Sequence, residues 1–356
     1  MTLGWGIIGL GRAADTLVAP AIAADPNSRL VAAVSRDTDR AKAFAERHNA
    51  ALATTDFAAM LADPGVDVVA ITSPNALHPE QAIAAAKAGK HVFSDKPLAP
   101  DAASAQRVID ACSAASVQLG VNFQTRHHAC FQEARQIIAN GDIGEVLAVQ
   151  VDASPGAVPL GGWRADPELA GLGAVNNIAV HIHDLLRFLI AAEVSEVSAM
   201  FDTGRSPALE RMPMVLMRFA NGAMAFANGN QLTPKPLNDI VIHGTTGRID
   251  GRGITRPGME GDMRVMTADG ETTKHYSSHD AYERTVAAFS RAILDGREPD
   301  PSGLDGLRNV QRMLKTRNPK IGEIKTEDVI DARIMRKLDE SGFIDRAYTA
   351  QGVSLK

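Results

Sequence analysis

The first third of the chain alternates short apolar runs with alanine-rich amphipathic segments. The apolar runs have the near-continuous hydrophobicity of strands that are covered on both faces, as in "WGIIGL", "RLVAAVS", "VDVVAITSP", "HVFSDKP" and "VQLGVNF". Between them lie segments with helical spacing, such as "DRAKAFAERH" and "EQAIAAAKAG". This alternation is typical of a doubly wound parallel sheet. We therefore predict an α/β domain over residues 1–122.

From about Glu145 the pattern changes to strands joined by short turns, such as "EVLAVQVDA", "PMVLMRFANGAMAFANGN" and "NDIVIHGTTGRIDG". The Asn-Gly pair of the turn "ANGA" and the Asp-Gly pair of the turn "ADGE" are typical of hairpins. The pattern predicts a second α/β domain, residues 123–356, with an open, mostly antiparallel sheet. The run "AYERTVAAFSRAIL" has helical spacing. The charged tail from about residue 317 could be a packed helix or an exchanged arm.

Composition narrows the class of partner. The 356 residues carry a net charge of −5, and the pI is near 6.1, so no basic excess is available for nucleic acid. Only two cysteines occur, without a CxxC pair, which indicates neither a disulfide framework nor a structural metal site. No apolar stretch is long enough to span a membrane. We expect a cytoplasmic protein that binds small molecules, without metal, membrane or nucleic acid.

A glycine-rich turn, "GLGRAAD", follows the first strand and begins a helix. In this G-x-G-x-x-A pattern, Gly9 permits a tight turn, Gly11 lets the backbone approach a pyrophosphate, and Ala14 allows close helix–strand packing. The free N–H groups of the helix N-terminus then face the phosphates. A turn without a ligand is the alternative, but the strand–helix context favours a dinucleotide bound at Gly9, Gly11, Arg12 and Ala13.

The end of the second strand, "VAAVSRD", suggests which dinucleotide is preferred. Ser35 and Arg36 occupy the place where an NAD-specific domain normally has a carboxylate for the adenosine ribose. A hydroxyl and a guanidinium suit a 2′-phosphate. NADP(H) should therefore be preferred, with NAD(H) possible. The alternative is that Arg36 is solvated and Asp37 holds a ribose hydroxyl.

The fifth strand ends with "HVFSDKP", which brings Asp95 and Lys96 to the carboxyl edge of the sheet, where ligands bind in open α/β folds. Burial and a cationic nicotinamide would lower the pKa of Lys96, so that it could exchange a proton with a substrate oxygen. The alternative is an ordinary residue at the start of a helix.

The segment "GAVNNIAVHIHD" is rich in polar groups and predicts a helix, because apolar residues recur on one stripe at Ile178, Ile182, Leu185, Leu186 and Leu189. Asn177, His181 and Asp184 fall beside that stripe, with His181 as the candidate acid/base. A strand would have paired His181 with His183, as a metal site requires; the helical period rejects it. A polar-flanked helix with a hydrogen-bonded histidine remains the alternative.

With these motifs in place, the chain resembles the glucose-fructose oxidoreductase, inositol dehydrogenase and MocA-like family of NAD(P)-dependent sugar oxidoreductases from Leu3 to about Val310. The resemblance is carried by "GLGRAA", "SPNALHPEQAIAAAKAGKHVFSDKP" and "GLGAVNNIAVHIHDLLRFL", which is similar to the family's G-G-x-x-x-D-x-G-x-H-x-x-D helix. Within the family, "GWR" and "NIAVH" are most similar to the 1,5-anhydro-D-fructose reductase branch. A Rossmann domain is implied, followed by a domain whose open sheet often joins subunits as a homodimer or homotetramer.

The resemblance also implies roles for individual residues. Lys96 and His181 would handle protons beside the nicotinamide, with Asp184 near substrate hydroxyls. Asp95 would replace the usual glutamate at the nicotinamide ribose. The implied cofactor contacts also include Ser73, Asn75, His78, Gln124, Trp163 and Arg164. The substrate pocket would be bordered by Arg126, His127 and Arg164, together with Asn177; a solvated loop is the alternative for Arg126, His127 and His128.

One departure from the family pattern concerns Asn177, which stands where the family usually has aspartate. An uncharged amide should leave His181 less basic, so either Lys96 would carry more of the proton transfer or the substrate would be unusual. The leading hypothesis is an NADP(H)-dependent oxidoreductase that transfers hydride between nicotinamide and a sugar, keto-sugar or related polyhydroxylated substrate. The alternatives are a non-catalytic NADP- or sugar-sensing protein and a dehydrogenase of a cyclic dihydrodiol.

Overall fold

The computed structural model describes residues 2–202, 209–255, 260–277 and 280–316. The chain up to Leu314 forms one compact unit. The predicted tail from about residue 317 lies outside the described residues. The boundary placed at residue 122 stays a prediction.

The first sheet is parallel, with the strand order β3-β2-β1-β4-β5-β6. Its strands are β1 (Leu3–Ile8), β2 (Ser28–Val34), β3 (Leu52–Thr54), β4 (Val68–Ile71), β5 (His91–Asp95) and β6 (Leu119–Asn122). The helices between them are α1 (Ala19–Ala24), α2 (Thr38–His48), α3 (Phe57–Ala62), α4 (His78–Lys87) and α5 (Ala102–Ala114). This order reverses direction beside β1, and a ligand crevice is expected at such a point. The predicted doubly wound domain is confirmed.

The second sheet has the order β14-β13-β12-β11-β7-β10-β9-β8. Its strands are β7 (Val146–Ala153), β8 (Val194–Phe201), β9 (Pro213–Phe219), β10 (Met224–Gly229), β11 (Ile240–Gly244), β12 (Arg248–Arg252), β13 (Gly261–Thr267) and β14 (Gly270–Tyr276). All neighbours are antiparallel except β7 and β10. The remaining helices are α6 (Ala129–Asn140), α7 (Pro167–Ala170), α8 (Val180–Ile190), α9 (Ala281–Asp295) and α10 (Gly303–Thr316). A mostly antiparallel second sheet is thereby confirmed.

Helices α9 and α10 return from the second half of the chain to the first sheet. The Phe289 ring of α9 lies with its centroid 5.9 Å from that of Trp5 and 5.2 Å from that of Phe93. A Cβ on Gly120 would come within 2.5 Å of the Phe289 ring, so the glycine makes this packing possible. Leu307 of α10 belongs to the core on the other side of the sheet. The first sheet is therefore covered partly by helices that follow it by more than 150 residues.

The helix predicted from the apolar stripe is regular only in part. It is α-helical as α8, but the preceding residues Val175–Ala179 form a π-helical turn, in which the N–H of Val180 donates to the Val175 carbonyl five residues back. A strand of the second sheet lies directly against this turn. A Cβ on Gly229 of β10 would lie 2.9 Å from the Ala179 Cα, so the strand and the turn touch backbone to backbone. Turns of this kind are frequent at functional sites.

Candidate active site

Two adjoining hollows lie along the glycine-rich loop. The outer cleft is lined from the end of β2 to the loop after β4, by Gly9, Gly11, Ser35, Arg36, Arg40, Phe57, Thr72, Ser73, Pro74, Leu77, Gln81 and Trp163 among others. The inner cavity is lined by Gly11, Arg12, Ala13, Thr72, Ser73, Asn75, Asp95, Lys96, Leu160, Trp163, Arg164, Ala170, Leu172, Gly173, Asn176, Asn177 and Gln231. Because Gly11, Ser73 and Trp163 belong to both linings, the two hollows are continuous. An extended two-part ligand suits this shape.

The two loop glycines fit the phosphates of such a ligand. Gly9 has φ +95°, and a Cβ there would lie 2.4 Å from the Ser73 backbone nitrogen, so only glycine suits this turn. A Cβ on Gly11 would meet nothing within 4 Å, which leaves open space where a pyrophosphate is expected. The structure therefore has room for a dinucleotide where the sequence predicts one, with Arg12 and Ala13 lining the inner side.

At the end of β2, Asp37, which the sequence offers as the alternative ligand of the ribose, already accepts hydrogen bonds within the protein. The Asp37 carboxylate accepts hydrogen bonds from the Asp39 and Arg40 backbone N–H groups, both 3.0 Å long, and caps α2. These bonds, chiefly that from Arg40, lower the pKa of Asp37. Ser35 and Arg36 line the outer cleft, as does Arg40. Arg40 was not predicted as a cofactor contact. Its basic side chain, four residues after Arg36 and on the first turn of α2, was a usable signal.

Lys96 lies in the inner cavity, held by backbone carbonyls of the π-helical turn. Its Nζ donates to the carbonyl of Asn177 at 2.8 Å and to that of Asn176 at 3.3 Å. Burial lowers the pKa of Lys96 to about 8; the Asp95 carboxylate opposes this shift and Arg164 adds to it. Asp95 Oδ1 in turn accepts the Lys96 backbone N–H at 2.9 Å. The side chain is therefore fixed in position and able to exchange a proton near neutral pH.

His181 lies near this lysine, on the first turn of α8. Its ring meets Phe123 edge-on, with the centroids 6.4 Å apart. Its Nδ1 is buried and has no hydrogen-bond partner among the described residues. Burial, and then the charge of Lys96, holds the pKa of His181 well below its ordinary value. The imidazole is consequently neutral at physiological pH.

A short 3₁₀ turn, Gly162–Ala165, contributes to both hollows. The Arg164 guanidinium stacks on the Trp163 ring at 4.3 Å from its centroid. Burial lowers the pKa of Arg164, and the nearby Asp95 opposes this. The turn thus adds an aromatic face and a cation opposite the end of β5.

Other residues that the sequence predicts as cofactor contacts are buried, and some of them connect neighbouring loops. His78 is buried, with its ring nitrogens 2.8 Å from the Pro97 carbonyl oxygen and 2.9 Å from that of Ser73, so it ties together the loops after β4 and β5. Asn75 lines the cavity while its Nδ2 donates to the Ala170 carbonyl at 2.9 Å. Gln124 is buried next to the end of β6.

Arg126 and Asp184, both predicted near the substrate, pair with each other. Two guanidinium nitrogens of Arg126 lie 2.6 Å from the two oxygens of Asp184, and Arg126 also meets Asp300 at 2.7 Å and Asp305 at 3.2 Å. These carboxylates raise the pKa of Arg126 against the effect of burial. His127 Nε2 lies 3.1 Å from the Asp300 carbonyl oxygen.

Only some of the predicted site residues therefore line the two hollows. Among the described residues, neither lining includes His78, Gln124, Arg126, His127, His181 or Asp184. Conversely, the inner cavity includes Asn176 and Gln231, which were not predicted. Asn176 carried no signal beyond being next to Asn177, and Gln231 follows the first sheet by more than 100 residues. In the described part of the chain, no cluster of three or more acidic, cysteine or histidine side chains could hold a metal.

Comparisons with known proteins agree with this geometry. Residues 3–123 match the family described as "Oxidoreductase family, NAD-binding Rossmann fold", and residues 131–250 match the "GFO/IDH/MocA C-terminal domain". The chain belongs to the GFO/IDH/MocA family, as its motifs indicated. It is an NAD(P)-dependent oxidoreductase acting on CH–OH or C=O groups, so the alternative of a non-catalytic sensor is not retained.

Particular relatives are similar over most of their length. A 1,5-anhydro-D-fructose reductase of Ensifer adhaerens is 33% identical over 307 residues, which are 85% of this chain and 92% of the relative. An aldose-aldose oxidoreductase from Caulobacter crescentus, solved with glycerol, has a TM-score of 0.82 at 27% identity and covers 89% of this chain and 97% of its own. A levoglucosan dehydrogenase, solved with NADH and levoglucosan, has a TM-score of 0.79 at 26% identity with the same coverage. In the described ranges, no helix is both long and apolar enough for a transmembrane span.

Proposed function

We propose that this protein is an NADP(H)-dependent oxidoreductase of a sugar, keto-sugar or related polyhydroxylated compound. The observation that carries the proposal is Lys96, whose Nζ is held at 2.8 Å by the Asn177 carbonyl in a cavity continuous with the outer cleft. Relatives that act on anhydrofructose and levoglucosan support the substrate class.

Different parts of the site would bind the cofactor and exchange the substrate proton. Gly9, Gly11 and the start of the helical turn Ala14–Val18, which precedes α1, would hold the pyrophosphate. Ser35, Arg36 and Arg40 would hold the adenosine end. The bound cofactor supplies or accepts the hydride. Lys96 exchanges the proton of the substrate oxygen, and the neutral His181 assists from α8. Trp163 and Arg164 exclude water from the side facing β5.

A substrate panel tests this function. Nicotinamide absorbance is followed for the wild type and for Lys96→Met, with NADPH or NADP⁺, on keto-sugars, aldoses, inositols and cyclic dihydrodiols. We expect turnover of one or more sugars and a loss of at least about 100-fold in kcat in the variant, because a positioned acid/base contributes roughly that much. Tight NADPH binding with no turnover on any sugar, or an active Lys96→Met variant, would contradict the proposal.

The preference for NADP(H) has its own test. Arg36→Gln and Arg40→Gln should each weaken NADPH binding by about 10- to 100-fold, because a hydrogen bond to a charged group contributes about 1.5–3 kcal/mol. NADH binding should change by less than about 3-fold. Arg29→Gln, at the opposite end of β2, is the matched control. Equal losses for both cofactors, measured by calorimetry, would show that the arginines do not read the 2′-phosphate.

We further propose that the protein forms a homodimer or homotetramer through the outer face of the second sheet, and that it is cytoplasmic. The first proposal rests on a row of exposed apolar side chains, Met200, Met214, Leu216, Met224 and Phe226. The second rests on Cys112 and Cys130, which are free thiols.

A further inference from the structure

Two buried amides line the inner cavity without complete hydrogen bonding. Asn176 and Gln231 are 3% and 2% exposed. The Oδ1 of Asn176 and the Oε1 of Gln231 are buried, and neither has a hydrogen-bond partner among the described residues. A buried acceptor without a partner costs about 1–3 kcal/mol, and a hydrogen-bond donor bound in the cavity would remove that cost.

The orientation of the Asn176 amide follows from its other contact. Its Nδ2 donates to the Ala170 carbonyl at 2.9 Å. Turning the amide over would place two oxygens against each other and lose this bond, so Oδ1 is the atom left for a ligand. The same residue accepts from Lys96 Nζ through its backbone carbonyl. Its side chain is therefore tied to the position of the reacting lysine.

Gln231 is fixed through its backbone. Its N–H donates to the Arg211 carbonyl at 2.9 Å, and its own carbonyl accepts from the Val158 N–H and from an Arg211 guanidinium nitrogen. It follows β10, whose Gly229 touches the π-helical turn. Both amides thus come from backbone segments that pack against each other. The backbone of each residue is therefore held before the ligand binds, which reduces the entropy cost of recognition.

The chemistry of these two atoms defines what they bind. An amide oxygen accepts a hydrogen bond and carries no charge, so it suits a hydroxyl donor better than a carboxylate or phosphate. We propose that Asn176 and Gln231 each accept a hydrogen bond from a substrate hydroxyl next to the reacting carbon, and that they select polyhydroxylated substrates over deoxygenated ones. This inference rests on the proposed function and specifies the specificity-determining residues of that site.

The test pairs a variant with a change in the substrate. Gln231→Met keeps the length of the side chain and removes its polar atoms. The sugar turned over fastest is compared with its analogues that lack a hydroxyl beside the reacting carbon, for example D-xylose with 2-deoxy-D-xylose. The wild type should prefer the hydroxylated sugar by at least about 10-fold in kcat/KM, because an analogue without the hydroxyl leaves the amide unpaired.

The variant should lose about 10-fold in kcat/KM on the hydroxylated sugar and less than about 3-fold on one deoxy analogue. Its affinity for NADPH should not change, and it should unfold at the same or a higher temperature, since a buried oxygen without a partner has been removed. Gln106→Met, the same change on the exposed face of α5, is the control and should match the wild type. Asn176→Leu should lower kcat/KM through the loss of a hydrogen bond to a second substrate hydroxyl. It should also lower the unfolding temperature, because the hydrogen bond to the Ala170 carbonyl is removed.

The experiment distinguishes a wrong hydroxyl assignment from a wrong proposed function. If the wild type turns over sugars but Gln231→Met loses the same factor on every analogue, the hydroxyl assignment is wrong and the oxidoreductase remains. If no sugar is turned over, calorimetry of the same sugars with the NADP⁺ complex decides the assignment. Binding that Gln231→Met abolishes would support the amide site, and no binding to the wild type would overturn it.

Discussion

At the scale of single residues, the surroundings of Lys96 and His181 shift the pKa of the two side chains to different extents. Both are desolvated, but Lys96 keeps the nearby Asp95 carboxylate, whereas His181 faces the positive charge of Lys96. Burial penalises the charged form of each, and the like charge penalises that of His181 further. The lysine therefore titrates near the pH of the cell and the histidine does not. Asn177 in place of a carboxylate agrees with a histidine that stays neutral.

The rate should follow the protonation of Lys96. Carbonyl reduction needs the ammonium form, so its kcat/KM should be constant at low pH and fall as the pH rises through about 8. Oxidation needs the neutral amine, so its kcat/KM should rise to a plateau above about 8. Measuring both directions between pH 6 and 10 checks this.

Arg164→Met is the companion variant for the pH measurement. Its positive charge contributes to the lowered pKa of Lys96, so the variant should move both pH limbs upward. If the two directions share one limb of the same sign, Lys96 does not exchange the substrate proton. A limb that this variant does not move would instead assign the proton to another group.

At the scale of elements, α8 is anchored by buried charged side chains. Asp184 of α8 is fully buried, holds Arg126 through two bonds and accepts from Asn309 of α10 at 2.9 Å. Arg187 of the same helix meets Asp305 at 3.1 Å and Glu193 at 2.7 Å. The network fixes α8 against α10 and the turn after β6, and hence fixes the π-helical turn that holds Lys96.

Asp184→Asn should lower the free energy of unfolding by about 3 kcal/mol, because it removes the buried counter-charge of Arg126. The value lies at the lower end for such pairs, since Arg126 keeps Asp300 and Asp305. Urea unfolding followed by circular dichroism measures it. Glu80→Gln breaks the exposed pair with Arg107 and should cost less than about 1 kcal/mol. Equal losses in the two variants would mean that the buried network does not stabilise the fold.

At the scale of the whole molecule, the two faces of the second sheet differ. In β9, buried Val215 and Met217 alternate with exposed Met214 and Leu216. One face of the sheet therefore packs on α6 and α8, while the other exposes apolar side chains to solvent. Leu216 is 58% exposed and Met200 is 77% exposed. An exposed face with this many apolar side chains is typical of an interface.

Leu216→Glu should therefore shift the protein toward the mass of one chain, 37.8 kDa, in size-exclusion chromatography with light scattering. The charge would have to be buried in the apolar interface. Leu237→Glu makes the same change at a leucine that is 68% exposed in the loop after β10, and it should leave the mass unchanged. A wild type that is monomeric at micromolar concentration would contradict the proposed assembly.

Local patterns in the sequence were sufficient for much of this protein. Continuous apolar runs and alanine-rich helices predicted the parallel sheet, and alternation with Asn-Gly turns predicted the second one, because burial on two faces or on one leaves a different period. The glycine-rich turn and the strand end at Lys96 were equally visible, since each lies within a few residues of its element. The family resemblance followed from the same short motifs.

The tertiary structure decided what depends on distant parts of the chain. The hydrogen bonding of Asp184 depends on Arg126 and Asn309, and spacing along one helix contains no information about either partner. The π-helical turn contacts Gly229 of β10, and Gln231, two residues after Gly229, lines the cavity. Helical periodicity fixes which side chains share a face; what that face meets is set by packing between elements far apart in sequence.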